Sequence, residues 1–171
     1  MKKYLVLTDI HGSIKYAQMA FDKFTQYGCH KILILGDILY HGPRNDLPEG
    51  YDPKAVTNLC NEYKKDIIAV NGNCDAEVDQ MVLEFMLFPE VMLELNGHKF
   101  LLTHGHHLEE AESDGYILYG HTHVTKFEDI FLNIGSVSIP KDNHHTYAII
   151  DDEKITAYDL LTDEVIMEAK L

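Results

Sequence analysis

The sequence predicts an α/β fold with a parallel sheet at its centre, and three observations carry that expectation. Up to Val70, apolar β-rich runs alternate with segments whose apolar residues recur at helical spacing. From about Val91 the pattern changes to short runs separated by small breaks, as in hairpins. At 171 residues the chain is long enough for one domain with its own core, and it has no linker, repeat or low-complexity tract. Residues 1–171 are therefore read as a single domain.

Residues 3–8 form the first expected strand, which stops at Asp9-Ile10-His11-Gly12-Ser13 and gives way to Ile14, Ala17, Phe21 and Phe24 at helical spacing. The unit repeats with a strand over 31–35 ending at Gly36-Asp37, a long loop, and a helix opened by Pro53 that carries Val56, Leu59 and Tyr63. A third strand, Ile67 to Val70, ends at Asn71-Gly72-Asn73. In such a sheet the functional residues gather beyond the carboxyl ends of the strands. In the second half, Asn96-Gly97 joins the runs Val91–Leu95 and 99–103 as a hairpin. Strands are expected at Tyr116–Tyr119 and Phe131–Ile134, a second hairpin at Thr146–Ile150 with 155–158, and a last strand at 164–169 that completes a sheet.

Fourteen Lys and Arg against 28 Asp and Glu leave a formal net charge of −14. That sign argues against an extended nucleic-acid platform or an anionic membrane surface, while leaving room for a local anion site. No apolar run approaches a membrane span, and the apolar stretch after Met1-Lys2-Lys3 ends at Thr8-Asp9, too early for a signal peptide. Cys29, Cys60 and Cys74 are an odd number at unrelated spacings and read as reduced thiols, so a cytoplasmic location is expected.

The expected strand ends carry metal-capable side chains: Asp9 and His11, Asp37, Asn73 and Asp75, His104 and His106, His121 and His123. A single strand-end Asp is ordinarily a turn or cap residue; the ordered set is what points to one pocket. On an extended segment residues i and i+2 face the same way, so Asp9 with His11, and His121 with His123, are each expected to present two donors to one side. Imidazole with carboxylate suits zinc, manganese, iron or cobalt in a catalytic centre, and two such ions about 3.5–4 Å apart suit in-line displacement at phosphorus. The loop from Leu39 to Asp52 is longer than a connector needs and holds Arg44, the only arginine of the chain.

Asp9-x-His11, Gly36-Asp37, Gly72-Asn73, His104-Gly105-His106 and Gly120-His121-Thr122-His123 occur in an order that resembles the calcineurin-like metallophosphoesterases. His41-Gly42-Pro43-Arg44-Asn45, Gly72-Asn73-Cys74-Asp75 and Gly135-Ser136-Val137-Ser138-Ile139-Pro140 extend the resemblance, toward the small bacterial phosphodiesterases of the YfcE type. It implies two packed mixed β-sheets flanked by helices, a four-layer sandwich with a dinuclear metal site at the carboxyl ends of strands. It further implies that Asp9, His11 and His123 hold one divalent ion, that Asn73, His104 and His121 hold a second, and that Asp37 bridges them. Manganese is the favoured ion, with zinc, iron, cobalt and nickel as alternatives. A water or hydroxide between the ions is the implied nucleophile on a small or activated phosphodiester.

Many relatives carry His where this chain has Cys74, at a position that helps the leaving group depart. A neutral thiol replaces imidazolium poorly, so weak action on phosphomonoesters is expected; a small buried side chain is the other reading of Cys74. Arg44 is a candidate for the substrate phosphate, or else a solvent-facing or ion-paired residue. His106 is a candidate for orienting a metal-bound imidazole or for facing substrate. The rival functions are a catalytically silent scaffold that keeps this fold for protein binding, and a phosphomonoesterase or protein phosphatase. An exposed β-edge in the second half would suit self-association into a homo-oligomer.

Overall fold

The computed structural model describes residues 2–171. The chain runs β1 (Tyr4–Leu7), α1 (Ile14–Tyr27), β2 (Lys31–Ile34), α2 (Pro53–Glu62), β3 (Ile67–Val70), α3 (Glu77–Val82) and β4 (Leu87–Phe88). It continues through β5 (Val91–Leu95), β6 (His98–Leu102), a 3-10 turn at Leu108–Glu110, β7 (Tyr116–Tyr119), β8 (Thr125–Glu128) and β9 (Phe131–Ile134), and ends with β10 (Thr146–Ile150), β11 (Lys154–Asp159) and β12 (Val165–Lys170).

Two mixed sheets result. The first has the order β12-β11-β10-β1-β2-β3-β4, with β1 to β4 parallel and the C-terminal strands added antiparallel beside β1. The second has the order β5-β6-β7-β9-β8, in which β6, β7 and β9 run parallel. The expected parallel core is thus completed by strands distant in sequence.

Local chemistry sets the helix limits. The Ser13 hydroxyl accepts the Tyr16 amide at the start of α1, and Gly28, at φ 61°, closes it in the left-handed region. The Asp52 carboxylate accepts the Ala55 amide at the start of α2, where Pro53 occupies the first turn.

Strand alternation then builds two cores. From β1 and β2, Leu5, Leu7, Ile32 and Ile34 pack with Ala17, Phe21, Val56 and Leu59 of the helices. Their neighbours Val6 and Leu33 face the second sheet and meet Phe100, Leu102, Leu118 and Ile134. A strand covered on both faces reads as a continuous apolar run, which is why the β1 sequence Tyr-Leu-Val-Leu shows no polar alternation.

The layering is helices, sheet, sheet. The crossover between the parallel strands β6 and β7 holds no α-helix, only the 3-10 turn, so the helices of the expected four-layer sandwich all come from the first half of the chain. Three elements go beyond the sequence expectation: α3, β4 and β8. Helix α3 leaves Val78, Met81 and Val82 exposed, so it lacks the inward apolar stripe that marks α1. No helix among the described residues is long and apolar enough to cross a membrane.

Candidate metal centre

The parallel strands β1, β2, β3, β6 and β7 each hand over, at their carboxyl ends, to a loop carrying one to three of the singled-out residues. The loops after β1 and β2 stay paired beyond the sheet: Asp9 N–H donates to Gly36 O at 3.1 Å, and His11 N–H to Asp37 O at 2.9 Å. Asp9, His11, Asp37, His121 and His123 all have positive φ, between 47° and 68°. A left-handed non-glycine residue costs about 1–3 kcal/mol, and Asp and His are among the types that tolerate it best.

These backbones correct the extended i, i+2 reading. Both pairs lie in tight left-handed loops past the strands, and the two histidines after β7 diverge. The His123 ring stands 5.1 Å from that of His11, whereas the His121 ring is 5.1 Å from that of His104. Asp9 and His11 do meet, with His11 Nε2 3.3 Å from Asp9 Oδ1.

Side-chain geometry in the cluster follows from hydrogen bonding at its outer edge. His11 Nδ1 donates to Tyr40 O, His104 Nδ1 to Leu35 O and His123 Nδ1 to Ile139 O, each at 2.7 Å. A carbonyl only accepts, so each Nδ1 carries its proton and each neutral ring turns a bare Nε2 lone pair inward. Those lone pairs meet other acceptors. His123 Nε2 is 3.0 Å from Asp9 Oδ1, His11 Nε2 is 3.3 Å from His123 Nε2, and His104 Nε2 is 3.2 Å from Asp37 Oδ2 and 3.0 Å from Asn73 Oδ1.

Each carboxylate is divided in the same way. Asp9 Oδ2 accepts from the Thr8 hydroxyl and the His121 amide, while Asp9 Oδ1 is buried with no hydrogen-bond partner. Asp37 Oδ1 accepts the Cys74 amide at 2.8 Å and leaves Oδ2 facing the imidazoles. The interior is a group of lone pairs without a donor, an arrangement that divalent cations satisfy. Asp9, His11 and His123 can surround one ion, and the free oxygen of Asp37 lies toward both His104 and, at 3.6 Å, His11.

Without a cation, protons fill this role. Burial opposes charge on His104, but Asp37 and Asp9 overcome it and raise the ring to about 9; His11 is raised in the same manner, chiefly by Asp9. Burial likewise opposes ionisation of Asp9, yet contacts with His11 and His123 hold it well below the usual carboxylate range. His121 and His106 shift down, through burial first and then the charge on His104.

The cluster opens onto a cleft of about 690 Å³ bordered by His11, Asp37, Asn73, Cys74, His121 and His123. Arg44 also reaches the cleft wall, exposed and without an ion-pair partner among the described residues. His106 does not border the cleft. Its ring lies 5.5 Å from His104 and 6.2 Å from His121, and its Nδ1 is buried and unpartnered.

Close backbone approach explains two glycines. A Cβ on Gly72 would sit 2.1 Å from Asp37 Oδ1, and one on Gly120 would sit 2.4 Å from Asp9 Oδ2. Sequence reasoning passed over the supports. Asp75, grouped there with metal-capable residues, accepts the amides of Asp37, Ile38 and Gly72 and so ties two loops together. The Ser136 and Ser138 hydroxyls both donate to Asp9 O, and Lys141 borders the cleft. The Gly135–Pro140 motif was the available signal for the serines.

Metal binding to the cation-free protein should release protons. Below about 9 the His104 proton competes with a cation, so affinity should rise with pH across that range, as expected when a ligand must lose a proton before it binds. Calorimetric titration with manganese at pH 7, in two buffers of different ionisation enthalpy, should show at least about one proton released per chain. Binding with no proton release would contradict this account.

The comparisons with known proteins agree with the geometry. Residues 2–154 match the family model described as the calcineurin-like phosphoesterase superfamily domain. The chain is 40% identical over 184 aligned positions to Phosphodiesterase YfcE of Escherichia coli K12, an alignment covering 100% of this chain and 99% of that protein. The solved structure of Yfce, a phosphoesterase from E. coli, superposes with a TM-score of 0.92 at 38% identity over 98% of both chains. Vacuolar Protein Sorting 29 from Cryptosporidium parvum, at 16% identity and a TM-score of 0.67 over 99% of this chain and 97% of that one, shares the fold. With a family model spanning most of its length and a relative aligned end to end, this chain belongs to the calcineurin-like phosphoesterase superfamily.

Proposed function

We propose that this protein is a phosphoric diester hydrolase that uses two divalent cations to cleave a small or activated phosphodiester. The observation that carries this reading is the donor-free group of lone pairs from Asp9, His11, Asp37, Asn73, His104 and His123 at the floor of an open cleft. The relative named Phosphodiesterase YfcE, aligned along the whole chain, supports the choice of substrate bond. Residues 1–171 act as one domain in this reading, supported by β10 lying beside β1 in the same sheet. Cytoplasmic placement is part of it too, supported by three unpaired thiols.

Asp9, His11 and His123 would hold the first cation, Asn73, His104 and His121 the second, and Asp37 would reach both. The set of imidazole, carboxylate and amide oxygen suits manganese, zinc, iron, cobalt or nickel, and manganese is our choice on the resemblance to the YfcE-type phosphodiesterases. When bound, the two cations supply Lewis acidity toward the phosphoryl oxygens and a lowered pKa for the attacking water. The protein's own task is orientation. Backbone carbonyls fix three Nδ1–H groups, Asp75 holds the Asp37 and Gly72 loops together, and Arg44 offers a guanidinium to a phosphoryl oxygen. His106 steadies the His104 and His121 rings from outside the cleft.

Cys74 limits the chemistry. Burial, reinforced by the neighbouring Asp37, pushes its thiol up to about 12, so at neutral pH it stays protonated and gives up that proton reluctantly. The leaving group therefore departs with little general-acid help, which favours activated diesters over phosphomonoesters.

Manganese-loaded protein should hydrolyse bis-4-nitrophenyl phosphate, metal-stripped protein should not, and Asp37→Asn should lose at least about a hundredfold in kcat. Full turnover by the stripped protein, or none with metal saturating, would refute the reading, and the second result would favour a silent scaffold. Cys74→His should raise the ratio of monoester to diester hydrolysis at least about tenfold. An unchanged ratio would remove Cys74 from the leaving-group side of the reaction.

A further inference from the structure

The diester linkage carries a single negative charge, and in the reading above the cations and Arg44 already answer it. The cleft holds one more cationic side chain, Lys141, which that reading leaves unused. Lys141 lies in the connection from β9 to β10, and its placement is fixed by the metal site. Its amide donates to His123 O at 2.8 Å, and two residues earlier Ile139 O accepts His123 Nδ1–H.

Acidic residues outnumber basic ones two to one, and seven lysines, namely Lys15, Lys23, Lys31, Lys64, Lys99, Lys126 and Lys154, engage carboxylates. Of the six lysines among thirteen that have no carboxylate partner among the described residues, Lys141 is the one that borders this cleft. The adjacent acid does not neutralise it by contact, because Asp142 spends one oxygen on the Thr125 amide and the other on the His144 amide. At about 690 Å³ the cleft is also far larger than a bare diester group and lies within the range of small-molecule sites, which leaves room for a nucleoside-sized arm.

We propose that Lys141 binds a second anionic group of the substrate, so that the enzyme acts on phosphodiesters in which a nucleoside-sized arm carries a further phosphate. This deepens the diesterase reading and rests on it. Lys141 is then a specificity determinant: it touches the distant phosphate, and its contribution falls on KM.

Two chromogenic substrates test the proposal, thymidine 5′-(4-nitrophenyl phosphate) with a free 3′-hydroxyl and the same compound bearing a 3′-phosphate. Manganese-loaded protein should prefer the phosphorylated compound roughly tenfold in kcat/KM, mostly through KM, the scale of one charge-assisted hydrogen bond. Lys141→Met should bring that ratio toward one, and Lys141→Arg should restore it. Equal hydrolysis of the two compounds by the unaltered protein, or a preference that survives in Lys141→Met, would overturn the assignment while leaving the diesterase reading intact. Turnover of neither compound would overturn the assignment, and the diesterase reading would fall with it only if bis-4-nitrophenyl phosphate were also left intact.

Discussion

Bare acceptors facing one another across a few ångströms are the constraint around which this molecule is arranged. Asp9 Oδ1, Asp37 Oδ2, Asn73 Oδ1 and the Nε2 atoms of His11, His104 and His123 repel one another unless positive charge lies among them. A flexible loop would relieve that repulsion by swinging apart. Here the backbone prevents it: every ring is pinned by a carbonyl behind it, and Asp75 staples neighbouring loops. Five left-handed non-glycine residues at the centre represent conformational energy the rest of the fold must sustain.

That support comes from the sheets. Parallel strands deliver their carboxyl ends to a common edge, and the two sheets bring β1, β2 and β3 together with β6 and β7 at that edge. The inter-sheet core of Val6, Leu33, Phe100, Leu102 and Leu118 sets the distance between the two groups of loops. Large buried side chains on both faces of β1 and β2 leave little freedom for the residues that follow them. The acidic net charge fits the same picture, since bound cations offset part of it where anionic substrate must enter.

Much of this was legible in the sequence because the signals were strong and local. The β-rich runs before Asp9, Asp37 and Asn73 are strands, Asn96-Gly97 is a hairpin turn with both residues at positive φ, and Ser13 and Pro53 open helices where expected. The order of Asp and His motifs pointed to one pocket, and the structure gathers six of the seven residues by side-chain polar contact, with the His121 ring set edge-on to that of His104. What escaped had weaker physics behind it. Helix α3 turns apolar residues outward, β4 spans two residues, and β8 offers one large apolar side chain in four. The left-handed turns at Asp9 and His123 were hidden because only a glycine announces positive φ in a sequence. Asp75 reads in sequence as a metal-capable carboxylate, and only the fold brings it to its three backbone partners.

Anomalous diffraction from crystals grown with manganese is the most direct measurement of the central claim. Two anomalous peaks should appear about 3.5–4 Å apart with the Asp37 carboxylate between them, His11 and His123 on one side and His104 and His121 on the other. A density map with no peak in the cluster, or with those rings rotated to face away from one another, would contradict the account.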